Sequence, residues 1–253
     1  MSDDILRTEG LSKSFGGVHA VEDVSLRIAE RSLHAIIGPN GAGKTTLFHL
    51  MTGVYRPTRG RVYFRGQDVT ARGAADRVKI GISRSYQRTN VFPHLSVREN
   101  LMLAAERSVG NSSSVCPRAL GGPAHALASR VLSQLGLESA ANFEAQTLPY
   151  GVQRLIDIGI ALCCEPKLLL LDEPTSGLSS AELREAIDTL KVLRSHYTIV
   201  LIEHNMELVI GIADRASVLN FGRLIAEGTP EEIRRIPEVH AAYFGSRKAM
   251  VAP

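Results

Sequence analysis

The sequence predicts an α/β fold: a mostly parallel sheet with flanking helices, joined to an antiparallel β portion and a helical portion. Three observations carry that expectation. A glycine-rich turn, GPNGAGKT (Gly38 to Thr45), lies between an apolar, β-branched run and a helix-forming run. A later run, KLLLLDEP (Lys167 to Pro174), places four leucines in a row, the pattern of a strand covered on both faces. Between about Phe92 and Pro166 the apolar spacing turns helical.

The elements follow in order. ILRTEGL and VHAVEDVSLRIA alternate apolar and polar residues and read as antiparallel strands beside the sheet core. SFGG (Ser14 to Gly17) lies between them as a glycine-flanked turn; Phe15 there offers a π face for a purine base, or else belongs to the core. SLHAII (Ser32 to Ile37) is a buried strand, and TLFHLMTG (Thr46 to Gly53) a helix whose glycine suits the C′ position. RVYFRG (Arg61 to Gly66) is a short strand after a Pro-Thr-Arg-Gly turn, and ISRSYQ (Ile82 to Gln87) a strand running into a loop.

A helix opens at Ser96, which forms a capping box with Glu99. NSSSVCPRALGGP (Asn111 to Pro123) is an aperiodic, exposed loop, after which HALASRVLSQLG and VQRLIDIGIALCC restore helical spacing. Asp172 and Glu173 emerge at the carboxyl end of the leucine strand, where open α/β sheets bind ligands. Ser179 and Glu182 form a second capping box. TIVLIE (Thr198 to Glu203) is another buried strand and delivers His204; ASVLN and RLIAEG flank a Phe221-Gly222 turn as a hairpin. TPEEIRRIPEVHAAYFG reads as a C-terminal helix with Thr229 as N-cap, Pro230 at N1 and an acidic first turn.

Composition narrows the function classes. A net charge of +3 advertises no broad basic face, so no nucleic acid is expected as partner. Cys116, Cys163 and Cys164 form no C-x-x-C pair, which argues against a disulfide scaffold or zinc site and fits a reducing compartment. The N-terminus MSDDILRTEG lacks a signal peptide's apolar core, and no apolar run approaches the roughly 18 residues that span a bilayer. A soluble chain is expected; work at a membrane requires a partner's spans.

The turn supplies the chemistry. Gly38, Pro39, Asn40, Gly41, Ala42, Gly43, Lys44 and Thr45 fit the phosphate-loop pattern G-x-x-x-x-G-K-[ST], and strand and helix flank it as that motif requires. Glycines let backbone N–H groups turn toward phosphate oxygens, and the following helix aims its positive end at the same anion. Lys44 supplies charge for the β- and γ-phosphates, and the Thr45 hydroxyl can ligate Mg²⁺. Asp172 can hold Mg²⁺ through its shell, leaving Glu173 to orient or deprotonate a water. The alternative for that pair is two solvated acids at a strand end.

With these motifs in order, the chain resembles the ATP-binding subunit of an ABC transporter, and the resemblance covers nearly all of it. Phe15 matches the adenine-stacking position, Gly38 to Thr46 Walker A, and Gln87 the glutamine loop. Leu148 to Gln153 match the signature, Leu168 to Glu173 Walker B, Ser176 to Ser179 the D-loop, and His204 the switch histidine. The resemblance implies a P-loop NTPase core. Residues 1–91 and 167–253 would form its RecA-like part with the antiparallel β subdomain, and residues 92–166 the helical subdomain carrying the signature.

It also implies that Gln87 contacts Mg²⁺ and the attacking water, and that His204 donates to the γ-phosphate. Two subunits would face head to tail, each ATP lying between one chain's Walker A and the signature of the other, where Tyr150 and Gly151 present their N–H groups. Implied cofactors are ATP and Mg²⁺. Implied partners are transmembrane permease subunits, a second ATP-binding subunit (this chain or a paralogue) and, indirectly, a substrate-binding protein. The place of work would be the cytoplasmic side of the inner membrane. SKSFGGVHAVEDVSL, RSYQRTNVFPHLSVREN, LIEHNM and GRLIAEGTPEEI resemble the ATPases of branched-chain amino acid importers, with similar phrases in amide and urea importers and lipopolysaccharide exporters.

One motif departs from the pattern. The signature reads LPYGVQR where importers of this kind have LSYGQQR: Pro149 stands for a phosphate-binding serine and Val152 for a glutamine, while Gly151 and Arg154 are kept. Proline has neither hydroxyl nor N–H, yet it tolerates a helix start. The remaining N–H groups of Tyr150, Gly151 and Val152 are expected to face the phosphate. Ser179 stands where the D-loop commonly has aspartate and is expected to serve as a helix cap. Two functions follow: a transport-coupled ATPase, or a nucleotide-gated regulatory subunit whose partner does the catalysis.

Overall fold

The structure, a computed structural model, describes residues 4–85, 90–109 and 122–244. Gln87, Cys116 and most of the expected 111–123 loop lie outside the described residues. Two compact units form, one of Met1–Arg77 with Thr198–Pro253 and one of Val78–Tyr197.

The first unit starts with β1 (Asp4–Phe15) and β2 (Val18–Ala29), paired antiparallel across the Gly16–Gly17 turn. The expected short pieces merge into two long strands, with register shifts along β1 absorbing the irregular alternation. All five residues of β3 (Leu33–Ile37) are buried, as its continuous apolar run requires. Then come α1 (Lys44–Met51), β4 (Arg59–Phe64), β5 (Gln67–Asp68) and α2 (Ala74–Lys79), inside which the two units divide. The helix α1 ends at the C-cap Thr52, leaving Gly53 at C′ with φ 76°.

The second unit holds β6 (Ile82–Arg84), α3 (Val97–Ser108), α4 (Pro123–Gln134), α5 (Tyr150–Leu162), β7 (Leu168–Asp172) and α6 (Ser180–Arg194). Parallel β6 and β7 pair, with α5 packed on them and α3, α4 and α6 beyond. Leu101, Val131, Ile156 and Leu169 fill this core. Both expected capping boxes are present, Ser96 with Glu99 and Ser179 with Glu182.

The chain returns to the first unit through β8 (Thr198–Ile202), α7 (Met206–Ile212), β9 (Arg215–Asn220), β10 (Arg223–Gly228), α8 (Pro230–Ile233) and α9 (Pro237–Phe244). Its strands run β10-β9-β3-β8, parallel except for the β9–β10 hairpin, beside the antiparallel set β2-β1-β4-β5. α1 packs on β2 and β8, and α7 on β3, burying Ile36, Leu47, Phe48 and Leu201. One expectation needs correction. The single C-terminal helix is two helices, because Pro237 has no N–H with which to continue the α8 ladder.

Candidate active site

In the first unit β3 delivers the phosphate loop. Gly38 and Gly43 take φ of 154° and 99°. Space forbids a side chain as firmly as torsion does. A Cβ on Gly38 would lie 2.2 Å from the Leu219 carbonyl oxygen, and one on Gly43 2.3 Å from that of Ala20. Gly43 is the N-cap of α1 and brings no capping side chain, so no side-chain oxygen of the cap competes for the N–H groups of the helix start.

Lys44 is buried, and its Nζ donates to the carbonyls of Gly38 at 2.7 Å and Pro39 at 3.0 Å. The ammonium is thus folded against the loop it belongs to. Asn40, Gly41 and Thr45 are exposed, with Pro39 and Thr46 half-buried and Ala42 buried. The loop is closed from behind by the β9–β10 turn, where the Gly222 N–H donates to the Ala42 carbonyl at 2.9 Å.

Phe15 is 43% exposed, so it is not a core residue. Its ring meets Tyr55 edge-on at 5.4 Å, Lys13 Nζ lies 5.1 Å from its centroid, and His49 continues the cluster 5.0 Å from Tyr55. His204 follows β8 with its side chain 55% exposed. Glu203 beside it is fully buried; its Oε2 accepts the His204 backbone N–H at 3.2 Å and lies 3.8 Å from Nδ1.

In the second unit Asp172 ends β7 and is buried, and Glu173 follows with φ 45°. That left-handed conformation is uncommon outside glycine, and such strain concentrates at working sites. Two donors hold it: the Glu173 carbonyl accepts the Ser176 N–H at 3.1 Å and Arg154 Nη2 at 3.0 Å.

Pro149 is the N-cap of α5, with φ −52° and ψ 152°, and contributes no side-chain hydrogen bond. The Gly151 N–H, expected to face a phosphate of the opposite ATP, is engaged within this chain. It donates to Glu182 Oε1 at 3.1 Å. Ser179 caps α6, as anticipated. The Tyr150 ring is 42% exposed and lies 5.6 Å from the Arg154 guanidinium carbon.

A family model described as ABC transporter matches residues 21–176, more than half of the chain. The chain belongs to the ABC transporter family. A second model, described as branched-chain amino acid ATP-binding cassette transporter, matches residues 223–249. Among curated relatives, the high-affinity branched-chain amino acid transport ATP-binding protein LivG of Salmonella typhimurium is 40% identical, covering 97% of this chain and 99% of its own. BraF of Pseudomonas aeruginosa, which carries the same description, is 37% identical over the same shares. Among solved structures, MJ1267, an ATP-binding cassette of an ABC transporter, superposes with a TM-score of 0.86 at 31% identity, covering 96% of this chain and 99% of that one.

Within this ABC-family cassette, sequence reasoning passed over three residues. Tyr55 shares the Phe15 cluster, and an aromatic two residues after the Gly53 helix stop was its signal. Glu203 was visible as an acid closing an apolar strand. Arg77 gave none: it is fully buried, and its guanidinium donates to the carbonyls of Leu50, Met51 and Val69 at 2.8, 2.6 and 2.9 Å. Burial pulls that group down to about 10, so it stays charged at neutral pH.

Proposed function

We propose that this chain is the ATP-binding and ATP-hydrolysing subunit that powers an ABC transporter for branched-chain or related amino acids. The observation that carries the reading is the phosphate loop: two sterically obligatory glycines, an uncapped helix start and a buried lysine lying on the loop. Gly38 to Thr46 hold the triphosphate through backbone N–H groups and the Lys44 ammonium. Phe15, with Tyr55 behind it, stacks on the base. Glu173 deprotonates the attacking water, and His204, braced by Glu203, donates to the γ-phosphate.

The Thr45 hydroxyl and Asp172 carboxylate are hard oxygen donors of the kind Mg²⁺ accepts, so the residues present fit that ion; Gln87 is assigned to it as well. Bound Mg²⁺ would neutralise charge on the β- and γ-phosphates. Among the described residues no helix is long and apolar enough to cross a membrane, the longest being α6 with 15 residues. Membrane attachment therefore falls to transmembrane permease subunits at the cytoplasmic face of the inner membrane, with a second ATP-binding subunit alongside and a substrate-binding protein indirectly engaged. LivG and BraF, similar along nearly their whole length, carry the amino-acid assignment. We assign residues 1–91 and 167–253 to the nucleotide core with its antiparallel sheet, and 92–166 to the helical subdomain.

The test is Glu173→Gln. Hydrolysis should fall by about 10²-fold or more while ATP still binds. Hydrolysis at the parent's rate would remove Glu173 from its role. A second reading, a nucleotide-gated regulatory subunit, draws support from Pro149, which offers a partner's phosphate no hydroxyl. Restoring Pro149→Ser with Val152→Gln in the assembled complex should raise turnover on that reading, and no gain would count against it.

A further inference from the structure

We infer that Glu182 is a resident counter-anion at the start of α5, a positioning residue that the partner subunit's triphosphate must displace before the two subunits close. The inference rests on the dimeric ATPase reading above and adds a determinant of its ATP dependence.

A helix that starts on proline has no side-chain acceptor for its first N–H groups. Here an acceptor arrives from another helix. Glu182 Oε1 takes the Gly151 N–H at 3.1 Å, while Oε2 takes the Ser179 N–H at 2.9 Å and the Ser179 hydroxyl at 2.7 Å. One carboxylate therefore ties the positive ends of α5 and α6 together. Those donors hold its carboxyl below the usual range, the Ser179 bonds contributing most, so it is an anion at neutral pH.

The approach is close: a Cβ on Gly151 would lie 2.9 Å from Oε1, so a larger residue there would push the flexible Glu182 carboxylate aside. A carboxylate oxygen and a γ-phosphate oxygen ask the same thing of the Gly151 N–H, and two anions on one donor repel each other. Glu182 is half-buried, so Oε1 can swing to water while Oε2 keeps the α6 cap. In this chain the signature turn is thus occupied until nucleotide on the opposite subunit competes for it.

The test is Glu182→Gln, which removes the charge but can still close a capping box on Ser179. Measured on the assembled transporter, the KM for ATP should fall about fivefold without loss of kcat, reflecting the weaker hold of a neutral acceptor. Binding of a fluorescent ATP analogue to the isolated chain should not change, because that reports the phosphate loop. Glu182→Asp keeps an acidic cap yet is one methylene too short to reach Gly151, so it too should lower KM. A KM equal to or above the parent's in either variant overturns the inference. It would leave the ATPase reading standing, since that falls only if the parent protein in its assembled complex fails to hydrolyse ATP.

Discussion

His34 gives the sharpest quantitative expectation. It lies on β3, the strand that feeds the phosphate loop, and is 1% exposed, with Nε2 2.7 Å from the hydroxyl of the equally buried Ser217 on β9. Burial, aided by the Arg215 charge, pushes its imidazole from 6.5 down to about 4. The unfolded chain takes up a proton near pH 6.5, whereas the folded one declines it until about pH 4. Between those values the unfolded state binds more protons, so stability rises with pH there. The contribution is whole above pH 6.5, shrinks as pH falls, and is gone below pH 4.

The gap of about 2.5 pH units, at about 1.36 kcal/mol each, sets a ceiling of about 3 kcal/mol. Between pH 7 and pH 5 the integrated loss is about 2 kcal/mol. The perturbation is His34→Gln, whose amide can still bond Ser217 but does not titrate in this range. Urea unfolding followed by circular dichroism at both pH values gives the difference between parent and variant, in which the carboxylates common to both cancel. That difference should shift by about 2 kcal/mol against the parent on going to pH 5. A shift below about 0.5 kcal/mol would refute the reasoning, as would an NMR titration showing His34 protonating near pH 6.5 in the folded protein.

Three further expectations are direct. Lys44→Ala should weaken ATP-analogue binding by about tenfold or more, read by fluorescence titration, because it removes the charge folded against the loop. Arg77→Met should destabilise the protein by about 3 kcal/mol in urea, since the carbonyls of Leu50, Met51 and Val69 lose their buried donor. Arg154→Met should cut ATP turnover by about tenfold in a steady-state phosphate-release assay, with analogue binding unchanged, by freeing the carbonyl behind Glu173.

Much of this architecture is local, and local signals were readable. The capping boxes at Ser96 and Ser179, the cap at Thr229 and the hairpin about Phe221-Gly222 each depend on residues within a few positions of one another. Short helices were not legible. The six residues of α2 are too few to show a period, and α7 rests on Asn205 accepting from Glu207 and Leu208 rather than on any apolar repeat. Pro237 is a local signal as well, since a proline within a helical run interrupts the ladder. The Glu182 to Gly151 bond joins residues 31 apart, and a capping-box glutamate looks the same whether or not its second oxygen reaches another helix.

Arg77 and Arg154 show why composition misleads at such sites. Arginine on a helix ordinarily faces water; the signature motif singles out Arg154 but not its burial, and nothing in the sequence marks Arg77. Each is buried, and the bonds described above run to carbonyl oxygens that end or leave a structural element: Leu50 and Met51 close α1, and Glu173 leaves β7. Carbonyls at such positions have lost their regular partners, and a guanidinium supplies several donors from one rigid plane. A lysine would bring a single charge without that fork. The helix that begins with Lys44 is thus fixed at its far end by Arg77, and the strained turn at Glu173 is fixed from behind by Arg154. Both residues act through backbone position, so replacing Arg154 should lower turnover while leaving the Glu173 carboxylate chemically intact.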